Sequence, residues 1–204
     1  MRVRLLVISP VVLAAVVVWG VLSIRAGGFS TRQPPSMAER MLSRAARWLA
    51  IPRSGRDALN PIPFSAEAWA ESRAHFADHC ASCHGNDGRG DTEMGRSLYP
   101  RAPDMRLPAT QRLTDGELYW IIENGVRLTG MPAWGDGTGH DTGTWTLVHF
   151  LRHLNDLTAD QLEEMAALNP RSPSELEEER QDKDFLEGRD SGISSQPSHH
   201  QHKE

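Results

Sequence analysis

The chain of 204 residues contains two cysteines, and both fall in the segment HCASCHG, residues 79–85. Cys80 and Cys83 stand three positions apart, and His84 follows at once. A disulfide framework spreads its cysteines along the chain, a tetrahedral zinc site needs further ligands, and a thioredoxin-like pair has no use for the histidine. Two thiols with two residues between them lie along one short helical turn. There they can add to the two vinyl groups of a haem, while His84 reaches the iron. C-x-x-C-H is a short motif, and a redox or zinc pair beside an incidental histidine competes with haem attachment until context is considered.

Three helical patterns surround the motif within residues 63–157, a common size for one small domain. The first, over residues 65–79, places Trp69, Ser72, Phe76 and Cys80 on one face and leads into the cysteines. The second opens on a capping box of Thr114 and Glu117, carries Leu118, Ile121 and Ile122 as a stripe, and stops at Gly125. The third, over residues 141–155, collects Leu147, Val148, Phe150, Leu151 and Leu154 on one arc. No period-two strand pattern competes. Between the first two helices runs a long segment rich in glycine and proline, residues 85–112, and so long a loop in a small domain is expected to wrap something.

Helix, CASCHG, glycine- and proline-rich loop, helix, TGMPAW and final helix together resemble a class I, mitochondrial-like c-type cytochrome domain. The nearest pattern is the membrane-anchored monohaem group similar to the cytochrome c domains of bacterial terminal oxidases. The resemblance covers residues 66–154 and lowers the zinc or thiol reading. It implies one covalently bound haem c, with thioether bonds from Cys80 and Cys83, proximal ligation of iron by His84 and distal ligation by Met131. It also implies that the first and last helices cross, bringing Phe76 against Leu147 and Phe150, with Ser72 where the family usually has glycine. A proline carbonyl, from Pro100 or Pro103, is expected to support His84. Met94 and Met105 are the other methionines of the domain. Met131 is preferred because Gly130 and Pro132 flank it just after a helix, whereas Met94 and Met105 lie in the long loop without comparable restraint. His75, His79, His140, His149 and His153 are assigned no ligand role.

The ends of the chain read differently. Residues 5–24 carry no charge, follow Arg2 and Arg4, and are long enough as a helix to cross a bilayer core of about 30 Å. An uncleaved anchor, residues 1–28, is therefore expected over the alternative, a cleaved signal peptide, since Ile24 and Ala26 fit an A-x-A-like cleavage site poorly. Residues 29–62 read as a linker with one basic amphipathic helix, opened by a capping box of Ser36 and Glu39. Met37, Met41, Leu42, Trp48 and Leu49 lie on one side of it and Arg40, Arg44 and Arg47 on the other. That helix either lies on lipid headgroups or packs on the domain or a partner subunit. Residues 158–204 read as a polar tail, disordered from residue 169 on, whose His199, His200 and His202 are more readily solvated than metal-binding.

The expected fold is thus all-α: a small cytochrome c-like haem domain with an N-terminal transmembrane helix and a disordered C-terminal tail. The expected protein is a membrane-anchored monohaem carrier of single electrons between respiratory-chain partners. It sits single-pass in the inner membrane with its haem domain on the periplasmic side, and meets redox protein partners in the membrane or periplasm. The alternatives are a haem subunit fixed within a dehydrogenase or oxidase complex, or a haem sensor with an exchangeable distal ligand. Two filled axial positions leave no site for substrate, so an enzyme is not expected. A net charge of −5 gives no support to nucleic-acid binding.

Overall fold

Helix starts follow the local capping chemistry. The Ser36 and Thr114 hydroxyls accept from the N–H groups of Glu39 (3.3 Å) and Glu117 (3.1 Å), and the two carboxylates accept from the cap N–H groups at 2.7 and 2.9 Å. The computed structural model describes residues 10–27, 30–171 and 173–188. In chain order these form α1 (Pro10–Gly27), α2 (Met37–Ala50), α3 (Arg53–Arg56) and α4 (Ala66–His75), which runs through a π-helical turn (Phe76–Cys80) into α5 (Ala81–His84). There follow α6 (Glu93–Ser97), α7 (Pro108–Gln111), α8 (Asp115–Asn124), α9 (Thr142–Arg152), a 3-10 turn (Leu154–Asp156), α10 (Ala159–Ala167) and α11 (Pro173–Leu186). The described residues contain no strand.

The core forms where α4 crosses α9, the most extensive helix contact among the described residues. Phe76 stacks on Phe150 with centroids 4.2 Å apart, and Tyr119 of α8 stacks on Trp145 at 4.1 Å. Leu118, Ile122, Leu147 and Val148 complete the same cluster. Ser72, which stands where the family usually has glycine, is fully buried at the crossing, and its hydroxyl donates to the Trp69 carbonyl at 3.0 Å within its own helix.

The transmembrane expectation is corrected: among the described residues no helix is long and apolar enough to cross a membrane. The described part of the helix, Pro10–Gly27, takes Arg25 into its last turn. Residues 5–9 lie outside the described residues. The single-pass inner-membrane topology, the periplasmic placement and contact with the membrane through the N-terminal helix rested on that span and fall with it.

The basic helix α2 buries none of its own side chains, but the domain holds it at both ends. Tyr99 donates to the Glu39 carboxylate at 2.8 Å, the Arg56 guanidinium donates to the Trp48 carbonyl at 3.0 Å, and Ile51 just beyond the helix is buried.

Past residue 157 the chain still contributes to the core. Thr158 and Gln161 cap α10, Arg73 pairs with Glu164 at 3.3 Å, and Met165 is 1% exposed within the main cluster. No described side chain of α11 is buried. Residues 189–204, with His199, His200 and His202, lie outside the described residues. Met165→Ala is accordingly expected to cost about 2–4 kcal/mol in denaturant unfolding. Deleting residues 170–204 is expected to change stability by less than ~0.5 kcal/mol. A truncation as damaging as Met165→Ala would mean that α11 is part of the core.

Candidate functional site

α4 delivers the cysteine motif into the middle of the fold through the π turn, closed by the Ala81 N–H donating to the Phe76 carbonyl. Cys80 and Cys83 are half-buried and unpaired, and the Phe76 ring lies 6.5 Å from the His84 ring. The loop that follows is built onto the backbone of the motif. The Thr92 hydroxyl donates to the carbonyls of Ser82 (2.8 Å) and Cys83 (3.0 Å) while accepting from the Gly95 N–H at 2.9 Å. The Gly90 N–H donates to the His84 carbonyl at 2.7 Å. A Cβ on Gly95 would fall 2.2 Å from the Cys83 carbonyl oxygen, so only glycine lets the loop close this tightly. Thr92 was not singled out from the sequence, although its N-cap position before α6 was a readable signal.

The electrostatics suit haem attachment better than its competitors. Burial, with a smaller contribution from Cys83, pushes the Cys80 thiol up to about 12, whereas redox-active C-x-x-C pairs depress it. Among the described residues no group of three or more His, Cys, Asp or Glu side chains could hold a metal ion, which removes a zinc cluster. Burial also lowers the His84 pKa and keeps the imidazole neutral, the form that ligates a metal. Its Nδ1 is buried without a hydrogen-bond partner, so neither Pro100 nor Pro103 supplies the expected carbonyl. A half-buried neutral imidazole whose Nδ1 is buried without a partner, directly after two thiols, fits a haem donor set.

Met131 lies on the segment between α8 and α9. Its carbonyl accepts from the Val126 N–H at 3.0 Å and its N–H donates to the Thr129 hydroxyl at 3.1 Å. Its side chain is half-buried. Val126 and Thr129 thus pin the loop at Met131. Met94 is 54% exposed on α6. Met105 departs from expectation: it is buried in the core, its N–H donates to the Gly88 carbonyl at 2.9 Å, and Gln111 donates to its own carbonyl at 2.8 Å. The other histidines have structural partners or lie at the surface. His149 Nε2 lies 2.7 Å from the Ile62 carbonyl, and His153 stacks on Phe64 at 4.4 Å. A cleft of about 610 Å³ lined by Arg44, Arg47, Trp48 and Arg112 lies between α2 and α7 and includes none of the motif residues.

Comparison with known proteins places this geometry in context. Residues 67–151 match the family model described as cytochrome c oxidase, cbb3-type, subunit III. The cbb3-type cytochrome c oxidase subunit FixP of Rhizobium meliloti (strain 1021) is 35% identical over 85 residues, which are 41% of this chain and 27% of the relative. The matched stretch thus spans about a quarter of that relative's length. It is a haem c-binding cytochrome domain whose haem is held covalently through the Cys80-Cys83-His84 motif.

Proposed function

We propose that the chain is a monohaem c-type cytochrome that works as an electron-transfer subunit fixed within a respiratory oxidase complex, with His84 and Met131 as the axial ligands. The observation that carries this reading is the attachment motif, with its neutral and otherwise unpartnered His84, in a segment similar to an oxidase subunit. The bound haem supplies one-electron oxidation and reduction at its iron. The chain's own residues hold that group in place: Cys80 and Cys83 anchor it, Thr92 and Gly90 fix the backbone around the anchor, and the pinned loop presents Met131. The fixed subunit replaces the anchored carrier, which required the span now corrected. α2 supports this: tied to the domain at Glu39 and Arg56, it leaves Met41, Leu42 and Leu49 exposed as a surface for a neighbouring subunit.

Two measurements test the proposal. The ferrous protein is expected to leave its visible spectrum unchanged under carbon monoxide, because both axial positions are filled. A shifted spectrum would favour the haem sensor with an exchangeable ligand. In native gels of gently extracted source cells, haem stain is expected to run with oxygen-reducing activity at the size of a complex. Stain at the size of the single chain would remove the fixed-subunit reading.

A further inference from the structure

Glu123, near the end of α8, is 5% exposed although it carries a carboxylate on a helix of a small domain. Burying such a group is costly unless it is hydrogen-bonded, so its place needs a reason. Its backbone and side chain both act on the segment that follows Met131. The Ile122 carbonyl accepts from the Trp134 N–H at 3.0 Å and the Glu123 carbonyl from the Gly135 N–H at 3.3 Å. The Glu123 Oε1 atom accepts from the N–H groups of Gly137 (3.0 Å) and Gly139 (3.4 Å). The second oxygen, Oε2, is buried without a partner against Gly135, where an added Cβ would fall 1.7 Å from it. On the other side of Met131 the loop is tied to α8 through Val126, and a Cβ on Gly125 would meet the Pro132 backbone at 2.5 Å.

The geometry points to Glu123 as the positioning residue that holds the Met131 loop in place by accepting the N–H groups of Gly137 and Gly139. This rests on Met131 as the distal ligand. Residues 135–139 include three glycines, two of them with φ near +75°, so this segment has wide conformational freedom unless something restrains it. Gly137 and Gly139 are exposed, so water can replace the carboxylate at their N–H groups. Losing Glu123 therefore removes a restraint on the loop and leaves the two glycine N–H groups to water, while the Tyr119 hydroxyl, which also faces the carboxylate, keeps its contact with the Asp141 N–H at 3.1 Å. The expected consequence is a methionine ligand more easily displaced, on a domain that keeps its fold and its covalent haem.

The test is competition by imidazole for the distal position of the full-length ferric protein, read by the weak red charge-transfer band of iron bound to methionine sulfur. Glu123→Ala and Gly135→Ala, which drives the carboxylate out by its added methyl, are expected to lose the band at about 10-fold less imidazole than wild type, the scale of two lost hydrogen bonds. Glu123→Gln keeps an acceptor oxygen and is expected to stay within about threefold of wild type. If Glu123→Ala fails to fold, Gly135→Ala carries the comparison. Variants with the wild-type imidazole requirement overturn the inference whatever happens to their melting temperatures, as does a Gln variant that falls as far as the Ala variant. A wild type without the band removes the Met131 reading and this inference together, whereas a normal wild-type band beside unchanged variants removes this inference alone.

Discussion

Cys80→Ala combined with Cys83→Ala is expected to release the haem and with it most of the folded structure. Wild-type colour should stay with the chain on denaturing gels and resist extraction by acid-acetone, since the bonds are covalent. In the double variant both properties should vanish. The effect on folding follows from size: a small domain is stable by only about 5–15 kcal/mol. A group held by the native state alone lends that state its whole binding free energy, which is lost when the attachment goes. The matched domain has a limited core, and the haem is a large apolar body within it. Circular dichroism of the double variant should therefore show reduced helix and no cooperative transition. A variant that folds like wild type and binds zinc one to one would restore the zinc-pair reading.

Met131→His is expected to abolish the red band and to lower the reduction potential by on the order of 0.2 V, within the ~0.8 V range that axial ligands span. Imidazole stabilises ferric iron better than a thioether does, and this fixes the sign. The structure also identifies the proper control. Met105, buried and tied to Gly88 and Gln111, is the better-restrained competitor, while Met94 is exposed. Met105→Leu should keep band and potential and cost less than about 1.5 kcal/mol, as volume-conserving core exchanges do. A band that survives Met131→His and disappears in Met105→Leu would transfer the distal role to Met105.

What could be read from the sequence was mostly local. The capping boxes at Ser36 and Thr114 and the apolar arc of α9 depend on neighbours a few positions away, and the structure has them where the pattern put them. The pairing of Phe76 with Phe150 came from the family resemblance rather than from periodicity. Other features depend on contacts distant in sequence. Met105 sits in a stretch of glycines and prolines with no period, and only the wrapping of that stretch buries it. Glu123 reads as an ordinary solvent-facing acid until the loop folds over it. α10 has only two large apolar residues, Leu162 and Met165, although the Thr158 and Gln161 cap was a legible start signal. The hydropathy of residues 5–24 suggested a span, whereas the described helix carries Arg25 in its last turn and no described helix is long and apolar enough to cross a membrane.

The π-helical turn before the cysteines has a consequence for anyone moving this motif elsewhere. Regular α-helical periodicity puts Cys80 on the same face as Trp69, Ser72 and Phe76, but an inserted residue in a widened turn rotates everything after it by about 100°. The widened turn therefore shifts the register of the cysteine motif relative to the face that α4 packs on α9. Grafting C-x-x-C-H onto a designed α-helical bundle in unbroken heptads would aim the thiols into the scaffold's own seam. The transferable unit begins at Phe76, four residues ahead of the first cysteine, and a one-residue deletion anywhere in residues 77–79 should abolish covalent haem loading, read as loss of haem stain on denaturing gels.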